Sequence, residues 1–154
     1  VANAASILDG DFFQGVRSNS MPERASYKSN EKPMIEQISE DMQNNVVALC
    51  AHGMVSHKDY ERVVIPTVEE KIRLYSKVRF LFVLADDFEG YTAEAMWDDT
   101  KIGLQHLTAF EKIAVVTNTE WVKEAVRFFG FFVPCPVKVF PKEEIQSATA
   151  WANE

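Results

Sequence analysis

An α/β fold with a mainly parallel central sheet is predicted by three observations. Val78 to Ala85 is nearly all apolar, as suits a strand covered on both faces by helices. Segments of helical period alternate with short apolar strands on either side of it, and that alternation requires crossovers, hence parallel strands with right-handed connections. A polar turn, Ser39 to Asn45, separates the first two strands, Ile35 to Ile38 and Val46 to His52, and favours a hairpin with an antiparallel edge. The predicted order is β-β-α-β-α-β-α-β-α.

Each later element has its own justification. Ser56 with Asp59 three residues on makes a capping-box-like helix start, and Tyr60, Val64, Val68, Ile72 and Tyr75 recur on one buried face. Pro66, on the outer face with Arg62, Glu69, Glu70 and Arg73, should bend this helix around the core. A second helix is expected from Thr92 to His106, with Ala93, Met96, Trp97, Leu104 and Leu107 inward. Lys112 to Thr117 reads as a strand. Glu120 to Phe129 reads as a helix stopped by Gly130, with Trp121, Val122, Ala125, Val126 and Phe129 apolar. Val137 to Phe140 is the last strand, and Pro141 opens a closing helix whose first turn carries Glu143 and Glu144 against the helix dipole. Ahead of all this, residues 1 to 33 are polar and lack a sustained period, so a flexible arm is expected before a domain over residues 34 to 154.

Composition narrows the function classes. A chain of 154 residues, 47% of them hydrophobic, suffices for one packed core. The longest apolar runs, Phe80 to Ala85 and Phe128 to Pro134, are far shorter than the roughly 20 residues of a membrane span. The first residues lack a basic segment before an apolar one, so no secretory signal is expected and the cytoplasm is the expected location. A formal charge of −7 with no basic stripe argues against nucleic acid. Cys50 and Cys135 have no zinc-type spacing and are expected to be reduced, buried packing.

The path from Val46 to Glu154 resembles the SpoIIAA-like group of STAS domains, the fold of the anti-sigma-factor antagonists, which lies near the CRAL-TRIO lipid-binding proteins. Four groups of residues carry the resemblance. They are Asp59-Tyr60 with Pro66; Asp87-Phe88-Glu89-Gly90-Tyr91-Thr92 with Met96-Trp97-Asp98-Asp99; Phe110 to Thr117 with Glu120-Trp121; and Phe129-Gly130 before Val137 to Phe140. It implies a STAS-like sheet and assigns no reaction. In the antagonists that switch sigma factors, a serine in the loop before the second helix is phosphorylated. The matching loop, Asp86 to Thr92, has no serine, so the resemblance implies that the switch is missing here. Thr92 is suited to a helix N-cap, and Asp86, Asp87 and Glu89 would repel an added phosphate.

In open α/β sheets, ligands gather beyond the carboxyl ends of the parallel strands. That edge would comprise Gly53 and Met54 after the second strand, then Asp86, Asp87, Phe88, Glu89, Gly90, Tyr91 and Thr92 after the third, and Thr117, Asn118 and Thr119 after the fourth. The plainer reading of Asp87, Thr92, Asn118 and Thr119 is helix capping. Asp86, Asp87, Glu89, Asp98 and Asp99 fit no EF-hand loop, so no metal is expected. His52, His57 and His106 have no Ser, Cys or Asp partner in sequence. A second candidate surface is Phe128, Phe129, Phe131 and Phe132 around one helix stop. These rings either pack in the core or form an apolar contact surface for a second subunit, a protein partner or a lipid-like ligand.

No residue set demands a particular reaction or cofactor. The expected function is therefore a non-enzymatic binding or regulatory module, a homodimer acting by surface contact, with carriage of a small apolar or lipid-like ligand as the alternative.

Overall fold

The computed structural model describes residues 32–95 and 106–154, with Phe129 described by its backbone alone. Among the described residues seven strands run in chain order: β1 (Ile35–Gln37), β2 (Val46–Ala51), β3 (Met54–Val55), β4 (Val78–Leu84), β5 (Gly90–Tyr91), β6 (Phe110–Val116) and β7 (Val137–Phe140). Helix α1 comprises His57–Asp59, a π-helical stretch Tyr60–Val64 and Ile65–Tyr75; α2 is Glu120–Gly130 and α3 is Ile145–Asn153. A 3-10 turn, Lys142–Glu144, leads into α3.

The main sheet has the order β1-β2-β4-β6-β7. As the polar turn predicts, β1 pairs antiparallel with β2, Ile35 opposite Ala51. The other three pairings are parallel. β4 lies in the middle, where its apolar sequence requires it to be. A small parallel pair, β3 with β5, was not foreseen, because two-residue strands have no readable period.

The strand order has a direct physical consequence. From β2 through β4 and β6 to β7 the chain always steps the same way across the sheet, so right-handed crossovers place α1 and α2 on the same face. That face holds the larger core: Leu49, Phe82, Leu84, Ile113 and Val115 from the sheet meet Tyr60, Val64 and Val68 of α1 and Val122, Ala125 and Val126 of α2. Among the described helices, α3 covers the opposite face. Ala48, Leu81, Ala114 and Val116 lie under Ala148 and Ala152, small residues that let helix and sheet approach closely.

α3 is also held at its end by cations from the sheet. Lys112 Nζ donates to the Trp151 carbonyl at 3.1 Å, and an Arg79 guanidinium nitrogen donates to the Asn153 carbonyl at 2.8 Å. Both satisfy terminal carbonyls at the negative end of the helix dipole.

The bend expected at Pro66 takes the form of a π-helical turn ahead of it, in which Ile65 N–H reaches the Tyr60 carbonyl. Proline offers no N–H to the carbonyl four residues back and crowds it, so the wider turn relieves both conflicts. The expected face continues past this turn: Tyr60, Val64 and Val68 are buried and Ile72 packs against the core. Tyr75, expected to be inward, is the last residue of the helix and is exposed, with Lys71 Nζ 5.8 Å from its ring centre.

Residues 1 to 31, most of the proposed arm, lie outside the described residues, as do Met96, Trp97, Asp98, Asp99, Lys101, Gly103 and Leu104 of the proposed second helix. The start of that helix is described. Thr92 Oγ1 accepts the Ala95 N–H at 3.3 Å, an N-cap bond.

Candidate functional site

The loops after β2 and β4 are bound into one unit. Gly53 N–H donates to the Asp87 carbonyl at 3.0 Å, and the Gly53 carbonyl accepts from Glu89 N–H at 2.8 Å. Gly53 has φ +47 and Gly90 φ +148, conformations that favour glycine. Thr92 N–H closes the unit onto the Val55 carbonyl at 2.8 Å. Phe88 and Tyr91 meet edge to face with ring centres 5.1 Å apart and pack half-buried against the core. Asp86, Asp87 and Glu89 remain exposed.

Asp59 supports this unit from beneath. It is buried, and its carboxylate accepts from Ser56 N–H at 2.8 Å, Ser56 O–H at 2.6 Å and Met34 N–H at 2.8 Å. Sequence reading had found the first of these partnerships. The link to Met34 spans 25 residues and leaves no local signal.

At the rim, His52 collects partners that no sequence neighbourhood announced. Its Nδ1 lies 2.9 Å from Asp87 Oδ1, and its Nε2 lies 3.0 Å from Glu36 Oε1 and 3.5 Å from Cys50 Sγ. Cys50 and His52 are two apart on a strand and its extension, so they share a face, and Glu36 stands opposite Cys50 in the antiparallel register. That i, i+2 spacing was the one legible clue. As an imidazolium the ring donates to both carboxylates; as a neutral ring it has one N–H and serves only one of them.

A thiol, an imidazole and a carboxylate in a row have the outline of a nucleophile set. The electrostatics run the other way. Burial raises the Cys50 thiol above its ordinary value, and the Glu36 and Asp87 charges raise it further, with Lys142 opposing weakly. Glu36 is held below the usual carboxylate range first by Lys32, which binds its other oxygen at 3.2 Å, and then by His52. The cluster therefore keeps its thiol protonated and clasps β1, β2 and the loop after β4 together.

Asp86 and Asn118 are also spoken for. Lys142 Nζ binds Asp86 Oδ1 at 2.6 Å and holds that carboxyl below its ordinary range. Asn118 Oδ1 accepts Lys142 N–H at 3.0 Å while its amide donates to Glu143 Oε1 at 3.0 Å, so Asn118 caps the 3-10 turn rather than α2. Thr119 N–H is taken by Thr117 Oγ1 at 3.0 Å. The carboxyl edge thus does assemble from the expected loops, with its polar groups bonded largely to one another.

The Phe-rich segment differs. Phe128, Phe131 and Phe132 are 64%, 91% and 54% exposed. Phe128 and Phe132 touch, ring centres 6.2 Å apart, at the end of α2. Beside them runs an open groove of about 490 Å³, lined by Val126, Arg127, Gly130, Phe131, Val137 and Val139. Val133 turns inward and is buried, and Cys135 is half-buried, its thiol pushed up to about 11 by burial.

Among the described residues no group of three or more His, Cys, Asp or Glu could hold a metal ion, and no helix is long and apolar enough to cross a membrane. A family model described as SpoIIAA-like matches residues 46–153. Among solved structures, the chain is similar to an uncharacterised protein of the DUF3478 family with a SpoIIAA-like fold from Shewanella loihica PV-4. The identity is 27%, covering 82% of this chain and 99% of that one, with a TM-score of 0.66. No curated protein matches the chain.

Proposed function

The chain belongs to the SpoIIAA-like family, and we propose that it works there as a cytoplasmic, non-enzymatic binding or regulatory module that acts by protein contact through its Phe-rich surface. The observation that carries this reading is the exposure of Phe128, Phe131 and Phe132 side by side at one helix stop. Burying a phenyl ring stabilises by roughly 1.5–3 kcal/mol, so leaving three in water forgoes several kcal/mol unless a partner covers them. The non-enzymatic reading draws on the Cys50 thiol, which lies beside a histidine and a carboxylate in surroundings that disfavour its reactive form. The Thr92 hydroxyl, the candidate phosphate acceptor in the loop before the second helix, is engaged as an N-cap, which supports a module without the phosphorylation switch.

The second reading, a carrier of a small apolar ligand, draws on the open groove beneath Phe131. A carrier encloses its ligand in an apolar pocket, and Phe131 stands 91% exposed at the rim of this one, which favours surface contact. Native mass spectrometry of protein taken from its host tests both readings. A bound second chain that is lost from a Phe131→Asp, Phe132→Asp variant is the expected result. A retained small apolar molecule would favour the carrier, and a bare monomer would sink both.

A further inference from the structure

We infer that the surface proposed above meets a second copy of this chain, by antiparallel addition of β7 to β7 across a two-fold axis. The inference rests on the contact-surface reading and names its partner.

β7 is the last strand of the sheet, and its inner side is used by β6: the Pro136 and Phe140 carbonyls accept from Ile113 and Thr117 N–H at 2.9 and 3.0 Å. In a parallel ladder these bonds alternate, so the N–H and C=O of Val137 and Val139 point away from the sheet. Such a row is a template for another strand.

Proteins commonly guard such borders with an outward lysine. Lys138 is placed for that duty but does not perform it. Its ammonium lies 4.7 Å from the Trp151 ring centre, drawn over α3 on the opposite face from the groove. Among the described residues none pairs with this border, and the groove beside it, with Val137 and Val139 as its wall, receives side chains that an added strand would bring.

A second copy fits in size. At their exposures the three phenyl rings present about 400 Å² per chain, and two-fold pairing would cover about 800 Å² from rings alone. A standard interface buries about 1,200–2,000 Å² in total, which the groove and the paired strands would complete. Like charges directly opposite one another destabilise a strand pair, so the two-fold axis should fall at Val137 or Val139 and not at Lys138.

Sedimentation velocity on the full chain at micromolar concentration tests this, with circular dichroism to verify folding. The wild type should be a dimer. Phe131→Asp should weaken it about 30-fold or more, as for a central aromatic anchor. Val139→Pro, which deletes one outward N–H while leaving the inner ladder, should weaken it comparably. A monomeric wild type, or a dimer that survives both substitutions, overturns the proposal. A dimer lost with Phe131→Asp and kept with Val139→Pro overturns the strand pairing. A monomer that nonetheless holds a different protein through Phe131 and Phe132 would overturn self-pairing while leaving the contact-surface reading standing.

Discussion

At the carboxyl ends of β2 and β4, polar side chains face one another; beside β7, phenyl rings face water. The first region has the address where α/β sheets bind ligands, yet Asp87, Asp86, Asp59 and Asn118 there are bonded to His52, Lys142, Ser56 and the backbone. The second has exposed phenyl rings and a strand border with which no described residue pairs. Position in a fold says where a site can be. Whether the groups there have unmet bonding or uncovered surface says whether anything will come.

The comparison breaks most readily at Asp59. Asp59→Ala leaves three donors without their acceptor beneath the rim and should lower stability by about 3 kcal/mol, read as a shift in urea midpoint. A loss well under 1 kcal/mol would mean that the carboxyl-edge unit does not depend on its support.

The alkaline limb comes next. Burial raises the folded Cys135 thiol to about 11 from an ordinary 9.0, so the contribution is complete below pH 9 and disappears as pH rises through 11. Stability followed by chemical denaturation should fall between those values, and Cys135→Ala should flatten that slope. An unchanged slope would show that the thiol beside the Phe segment is open to water.

His52→Ala should cost about 1 kcal/mol, because its partners are largely exposed and screened. Hydrogen exchange should then quicken at Gly53 and Glu89, whose amides the clasp shelters. Unaltered exchange there would reduce His52 to a surface ornament.

The smallest effect is expected at the other region. Phe131→Ser should leave monomer stability within about 0.5 kcal/mol, since a ring 91% exposed contributes little packing. A large loss would mean that the ring belongs to the core, and the contrast between the two regions would fail.

Sequence alone determined the parallel sheet with its antiparallel edge, the central place of β4, the capping of α1 by Ser56 and Asp59, and Thr92 as an N-cap. Each follows from spacing within a few residues or from an apolar run, which local physics suffices to read. Tertiary structure alone decided that His52 gathers Glu36 and Asp87 from 16 and 35 residues away, that α1 accommodates Pro66 through a π-helical stretch, and that β7 ends up at a border. It also left Phe128, Phe131 and Phe132 exposed, where composition alone allowed either core packing or a contact surface. A phenyl ring's hydrophobicity is fixed by its chemistry, but whether another element covers it depends on the order in which strands are laid down.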